Sequence, residues 1–132
     1  MSEYRHSEIT QRIINAFYCV YNSLGFGFLE NVYENALCIE LLNEGFTVEQ
    51  QKGIDVYYKN QIVGKYKADI VVDDIIVLEL KAVEKHLKEH ENQIINYLKA
   101  TNIEVGLLLN FGMKPEVRRK IYENHMKQSK HV

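Results

Sequence analysis

Hydrophobic residues in the first third of the chain recur at helical spacing. From Ser7 onward, the apolar positions that recur every three or four residues are Ile9, Ile13, Phe17, Val20, Tyr21 and Leu24. This period predicts an amphipathic helix, which Gly25 and Gly27 would end. A second helix, followed by Gly45 as a C′ glycine, is predicted by a second stripe: Leu29, Val32, Tyr33, Ala36, Leu37 and Leu41.

The pattern then changes to alternation, which is typical of β-strands. Segments rich in β-branched and aromatic residues predict strands at 46–48, 54–58, 65–72 and 75–81. We expect turns at Asn60-Gln61 and at Asp73-Asp74, because Asn and Asp favour turn conformations.

The last third of the chain returns to mixed patterns. Apolar residues between Leu87 and Ala100 predict a third helix, and the apolar run at 105–109 is typical of a strand covered on both faces. The only proline, Pro115, predicts the start of a last helix, because a first helical residue needs no N–H. This order of elements predicts an α/β fold, with a central mixed β-sheet flanked by helices.

Length and composition are those of a globular protein. A chain of 132 residues fits one domain, so we expect residues 1–132 to form it. Hydrophobic residues make up 46% and charged residues 26%, which excludes a disordered chain. No apolar run reaches the ~20 residues that span a membrane, and the first ten residues lack the apolar core of a signal peptide. We therefore expect a cytoplasmic protein with no membrane partner.

The net charge of −2 is unevenly distributed. Residues 112–132 carry a net charge of +4 and residues 1–111 a net charge of −6. The basic segment could contact phosphates, or it could be only a solvated helix face. The acidic excess suggests carboxylates gathered to hold a cation.

The clearest candidate for chemistry is Asp69, followed nine residues later by Glu79, Leu80 and Lys81. Alternation along a strand places Glu79 and Lys81 on one face, and charges on an apolar strand are costly unless they are paired or bind a metal. A two-residue turn would place Asp69 opposite Leu78. The two carboxylates meet only if the connection has an odd number of residues or the strand carries a bulge, and we predict one of these.

Two carboxylates and a backbone carbonyl, such as that of Leu80, suit a hard divalent cation, Mg²⁺ or Mn²⁺. A neighbouring lysine can deprotonate an attacking water or neutralise charge on a phosphate. This is the chemistry of metal-assisted phosphodiester hydrolysis. The alternative is an edge strand whose Glu79 and Lys81 face water.

Two predicted helices add polar candidates. Gln93 and Tyr97 share a helix face with His90, where they could orient a phosphate or a base, or form ordinary helix surface. Glu30 and Tyr33 are neighbours near the start of the second helix, where the helix dipole alone also favours a carboxylate.

Tyrosines and lysines are interspersed in the predicted strands. Tyr57, Tyr58 and Tyr66 lie among Lys52, Lys59, Lys65 and Lys67. Such side chains can stack on nucleic-acid bases, although an ordinary amphipathic sheet surface has the same composition.

Over residues 7–122 the chain resembles the GxxExxY family, small bacterial and archaeal proteins of the PD-(D/E)XK nuclease superfamily. The matching positions are Gly27, Glu30, Tyr33, Gln51, Lys52, Gly64, Ala68, Asp69, Glu79, Leu80, Lys81, Ala82, His90, Gln93, Tyr97, Gly106, Leu107, Leu108, Asn110 and Phe111. Ala68 departs from the proline in the superfamily's name.

The resemblance implies a restriction-endonuclease-like core and a metal-dependent nuclease, with DNA as the expected substrate. It implies Asp69 and Glu79 as metal ligands, Lys81 as the catalytic lysine, and Glu30 as a further acid acting directly or through water. The candidates for positioning the substrate are Gln93, Tyr97, Tyr33, Gln51 and Lys52.

A second hypothesis is a catalytically silent nuclease-fold protein that acts as a dimeric module binding nucleic acid or protein. The complete set of acids favours the nuclease, and the modest net charge favours the silent module. Because the chain leaves no room for a recognition domain, we expect low sequence specificity, or a partner protein that supplies targeting.

Overall fold

Five strands form a mixed sheet between two layers of helices in the computed structural model, which describes residues 6–84 and 87–127. The elements in chain order are α1 (Ser7–Leu24), α2 (Glu30–Asn43), β1 (Val48–Tyr58), β2 (Gln61–Val72), β3 (Ile76–Lys81), α3 (Leu87–Ala100), β4 (Val105–Phe111), β5 (Pro115–Ile121) and a short 3-10 turn, Asn124–Met126. The strands lie side by side in chain order; β3 and β4 run parallel, and the other neighbours antiparallel. The predicted α/β architecture is confirmed. No helix in the described ranges has the length and apolar character that a membrane span requires.

One face of the sheet packs against α1 and α2. Phe17 of α1 and Leu37 of α2 are fully buried against Leu78 and Leu107 of the sheet. Both helices were therefore predicted correctly from their apolar stripes. Gly45 follows α2 with φ of 90°, as expected of a C′ glycine.

The opposite face packs against α3. Ile94 and Leu98 of this helix are buried on Val77 and Leu108 of the sheet. Gly106 of β4 permits this close approach, because a Cβ there would lie 2.5 Å from Cγ2 of Ile94. The third predicted helix is thus confirmed.

The segment after Pro115 is a strand, so the predicted last helix is wrong. β5 pairs antiparallel with β4 along its whole length, and Val117 and Ile121 pack against the α1/α2 core. The spacing of four between these two residues suits one face of a helix and one face of a strand equally. The unpaired edge of β4 decides between them, and proline is tolerated as the first residue of an edge strand.

The basic residues of β5 bind the helices on both faces of the sheet. Arg118 Nη1 lies 3.0 Å from Oε2 of Glu91 on α3, and Lys120 also pairs with Glu91. Both cations hold the pKa of Glu91 below its usual range, and the effect of Lys120 is the larger. On the other face, Arg119 Nη1 donates to Oγ1 of Thr10 on α1, 2.6 Å away. All three basic side chains of β5 therefore form contacts within the protein.

β1 is one continuous strand of 11 residues, where the sequence predicted two shorter segments. Its polar middle pairs with β2, so pairing extends the strand where apolar alternation is missing. The turn after it lies at Lys59 and Asn60, one residue earlier than predicted. Their φ values of 49° and 65° are those of a type I′ hairpin turn.

Candidate functional site

Asp69 on β2 lies opposite Glu79 on β3. The paired residues of these strands are Val72 and Ile76, Val71 and Val77, and Ile70 and Leu78. The backbone ladder ends at Ile70 and Leu78, and the same register continued by one residue aligns Asp69 with Glu79, in agreement with the hydrogen bonds between them. Three residues, 73–75, connect the strands, so the predicted odd-numbered connection is confirmed. Asp73 and Asp74 have φ of 51° and 59°, a left-handed conformation that aspartate tolerates.

Two hydrogen bonds join the carboxylates to the opposite strand. The backbone N–H of Asp69 donates to Oε1 of Glu79 (3.3 Å), and the N–H of Leu80 donates to Oδ2 of Asp69 (2.8 Å). The side chain of Glu79 is almost inaccessible, with the residue only 6% exposed, whereas Asp69 is half-buried. The pair therefore sits at the boundary between the core and the surface.

The pKa of Glu79 is raised to about 8. Burial is the largest cause, the negative charge of Asp69 is the second, and the charge of Glu30 adds a smaller contribution, while the ammonium of Lys81 acts in the opposite direction. A buried carboxylate beside a half-buried one places two negative charges next to each other where water screens them poorly. Oxygen donors with excess negative charge fit a hard divalent cation, which would relieve this repulsion.

Glu30, the first residue of α2, acts on Glu79 through its charge. The described residues contain no group of three His, Cys, Asp or Glu side chains that could share one metal ion. The structure therefore brings Asp69 and Glu79 together and leaves Glu30 outside a common set of direct ligands.

The neighbouring residues Gln51 and Lys52 have different partners. Gln51 Nε2 lies 3.3 Å from Oδ1 of Asp69, and the backbone of Gln51 has φ of 54°. Lys52 Nζ instead pairs with Glu49 at 2.9 Å and with Asp74 at 3.1 Å. Of these two candidates for positioning the substrate, Gln51 contacts the site. The ammonium of Lys52 instead forms ion pairs with carboxylates near the turn between β2 and β3.

Glu34 on α2 is a site residue that the sequence analysis missed. It is only 9% exposed, and its carboxylate accepts hydrogen bonds from Gln51 Nε2 (2.9 Å) and Gln50 Nε2 (2.9 Å). A signal was present, because Glu34 lies four residues after Glu30 and three before Leu37, on the apolar stripe of the helix. A carboxylate on a buried stripe requires polar partners.

Lys81 ends β3, two residues after Glu79, and is half-buried. Among the described residues it makes no ion pair, and its charge lowers the pKa of Glu79. The side chain of Asn110, its neighbour on β4, binds both the N–H (3.0 Å) and the carbonyl (2.7 Å) of Val83. These bonds hold the chain that follows Lys81. Leu80, whose carbonyl was the third expected metal ligand, has its side chain in the α1/α2 core.

Gln93 and Tyr97 on α3 differ in accessibility. Gln93 is exposed, whereas Tyr97 is 3% exposed and packs in the α3 core, where burial raises its pKa. Gln93 is therefore available to a ligand. Tyr97 lies within the protein, within electrostatic reach of Glu79.

Tyr33 was expected to position the substrate, but the structure places it in the core. It is fully buried, stacks on Phe111 at 4.3 Å, and its hydroxyl donates to the carbonyl of Gly25 (2.7 Å) and accepts from the N–H of Phe28 (3.1 Å). These contacts hold the loop that leads into α2. The role of Tyr33 is thus to position the loop that precedes Glu30.

Comparisons with known proteins agree with this architecture. A family model described as the PD-(D/E)XK nuclease superfamily matches residues 7–120. A solved structure titled "Crystal structure of SSO0001" is similar, with a TM-score of 0.57 and 19% identity over 92% of this chain. This chain spans 60% of that one, and the likeness is one of fold, consistent with a restriction-endonuclease-like core. No curated protein matches the chain.

Proposed function

The chain belongs to the PD-(D/E)XK nuclease superfamily, and on that premise we propose that it is a metal-dependent nuclease. Its reaction would be hydrolysis of phosphodiester bonds in nucleic acid, with DNA as the expected substrate. Within the superfamily, we place it in the GxxExxY family on the spacing of Gly27, Glu30 and Tyr33.

The observation that carries the proposal is the juxtaposition of Asp69 and Glu79 on neighbouring strands. A structural role would be served better by apolar side chains, because both carboxylates are costly to desolvate. The raised pKa of Glu79, whose largest cause is burial, is consistent with that cost. Perturbed acids beside a charge partner are typical of functional sites.

Asp69, Glu79 and the carbonyl of Leu80 would hold Mg²⁺ or Mn²⁺. Bound there, the ion would supply Lewis-acid chemistry to a phosphodiester and to an attacking water. Glu79 has to release its proton to act as a ligand, and Lys81 favours that release because its charge lowers the pKa of Glu79. Glu30 would contribute through water or through its charge.

Lys81 would act on the reacting atoms. Its ammonium lies on the same strand as Glu79, outside any ion pair in the described part of the chain, so it is available to a phosphate oxygen or an attacking water. Gln51 would hold Asp69 in place. The exposed amide of Gln93 would contact the strand that is cut.

The test is cleavage by purified protein of end-labelled single-stranded DNA, duplex DNA and RNA, in Mg²⁺, in Mn²⁺ and in EDTA. Glu79→Gln and Lys81→Met should each lower cleavage by ~100-fold or more, and EDTA should abolish it. Glu8→Gln and Lys114→Met are matched controls at exposed positions and should cleave like the unmodified chain.

Cleavage that persists in both site variants would overturn the proposal. Absence of cleavage on every substrate would favour the silent interaction module instead. Products that shorten stepwise from one end would identify an exonuclease, and internal cuts an endonuclease.

A further inference from the structure

A cavity of about 450 Å³ lies on the α3 side of the sheet. It is formed by the β1–β2 hairpin, the second half of α3 and the chain after β5. Its lining residues are Val56, Tyr66, Asn96, Lys99, Ala100, Tyr122 and Lys127. The volume is in the range of small-molecule sites, ~300–1,000 Å³.

The lining combines aromatic rings, an amide and a cation. Tyr66 and Tyr122 both pack against the α3 core and are only partly buried, so ring surface is left for a ligand. Lys99 Nζ lies 5.6 Å from the centre of the Tyr122 ring, and Asn96 adds a group that can donate and accept hydrogen bonds. A flat ring with polar edges and a nearby phosphate fits this set, because aromatic side chains stack on bases and amides read their edges.

Lys127 has a different role from Lys99 in this cavity. Its ammonium donates to the carbonyls of Thr101 (2.9 Å) and Ile103 (2.8 Å) and to Oδ1 of Asn124 (2.6 Å). These bonds brace the wall that α3 and the chain after β5 share. Lys99 is exposed and supplies the positive charge for a ligand.

Two elements connect the cavity to the candidate site. Tyr66 lies three residues before Asp69 on β2, about 10 Å along the strand at ~3.3 Å per residue. On α3, Gln93, Asn96 and Ala100 recur at spacings of three and four, so they share one face of the helix. A nucleic-acid strand that contacts Gln93, as proposed above, can therefore continue along α3 to the cavity.

We propose that this cavity binds an unpaired nucleobase of the nucleic-acid substrate, next to the strand segment that is cut. The inference rests on the proposed nuclease function, because it takes nucleic acid as the ligand. It assigns the base-stacking role to Tyr66 among the three tyrosines that lie between lysines. It also predicts a preference for single strands, since a paired base cannot enter the cavity.

Base binding is measured in EDTA, without cleavage, by fluorescence of a short single-stranded DNA that carries one 2-aminopurine. The chain has no tryptophan, so the probe is excited without interference from indole. Stacking in the cavity should quench the probe on binding. A duplex of the same sequence and free 2-aminopurine nucleotide are measured in the same way. An oligonucleotide with an abasic spacer at the probed position carries no probe, so its binding is measured by competition with the labelled strand.

Tyr66→Ala should weaken binding of the single strand by ~10-fold, whereas Tyr66→Phe should retain it, because stacking needs the ring and not the hydroxyl. Tyr18→Ala is the matched control, since Tyr18 lies on α1, on the opposite face of the sheet, and is 39% exposed. The abasic oligonucleotide should bind Tyr66→Ala and the unmodified chain equally. Quenching by the free nucleotide alone would show a nucleotide pocket and overturn the strand-bound role.

Lys99→Glu tests the same cavity at an exposed position that does not endanger folding. It should weaken binding of the single strand and reduce the slope of log affinity against log salt concentration by about one counterion. Lys114→Glu, which changes the charge equally at the β4–β5 turn, should do neither. Binding that is unchanged in Tyr66→Ala and Lys99→Glu would overturn the inference. If these variants weaken binding but the unmodified chain cleaves no substrate, only the nuclease proposal is overturned. If the unmodified chain cleaves and the variants bind and cleave as it does, only the inference is overturned.

Discussion

The backbone N–H of Asp69 donates a hydrogen bond to Oε1 of Glu79 over 3.3 Å, and this bond sets two carboxylates from neighbouring strands side by side. It depends on the odd number of residues, three, between β2 and β3, because a two-residue connection would place Asp69 opposite Leu78 instead of Glu79. The geometry leads to four predictions.

Binding of Mg²⁺ should release close to one proton per ion at pH 7. The reason is that Glu79, with a pKa raised to about 8, is mostly protonated before the ion binds. Calorimetric titrations in two buffers of different ionisation enthalpy measure the release. Glu79→Gln should bind the ion more weakly and release none; equal release from this variant would contradict the assignment.

Glu79 should make the metal-free protein less stable as the pH rises from about 4.5 to about 8. Its pKa is about 8 in the folded chain, against 4.5 for an unperturbed glutamate. Between pH 4.5 and 8 the folded state therefore binds more protons than the unfolded state, and the free energy of unfolding falls as the pH rises through this range. The effect should be on the order of a few kcal/mol. Urea unfolding in EDTA at pH 5.5 and 8.5 measures it, and Glu79→Gln should show a smaller loss. An equal loss in both proteins would refute the prediction.

Gln51→Ala should lower metal affinity or cleavage by ~10- to 100-fold, because Gln51 orients Asp69 and connects it to Glu34. The adjacent change Lys52→Ala should have little effect on either, because Lys52 pairs with Glu49 and Asp74. Metal titration and initial cleavage rates of the two variants make the comparison. Equal losses from both would show that the site extends to Lys52.

Tyr33→Phe should lower the free energy of unfolding by about 1–3 kcal/mol, since it leaves the carbonyl of Gly25 and the N–H of Phe28 without their partner. Tyr58→Phe, at a tyrosine that is 62% exposed, is the matched control and should change stability little. Chemical denaturation followed by circular dichroism gives both values. Unchanged stability in Tyr33→Phe would show that the loop before α2 does not depend on this hydroxyl.

Periodicity predicted the elements that bury one apolar stripe. The stripes of α1, α2 and α3 and the apolar run within β4 are each contained in a short window, so local spacing is sufficient to identify them. β5 was mistaken for a helix because Val117 and Ile121 satisfy both periods. The polar middle of β1 has no apolar alternation, and pairing with β2 makes it a strand.

By itself, the sequence determined which acids and which lysine are available, and that Glu79 and Lys81 share one face of a strand. Only the tertiary structure decided that Asp69 meets Glu79, that Gln51 rather than Lys52 contacts Asp69, and that Glu34 joins them. The physical reason is that alternation along one strand is a local property of the backbone. Register between strands, and the packing of α2 over them, depend instead on turn conformation and on contacts between residues far apart in the chain.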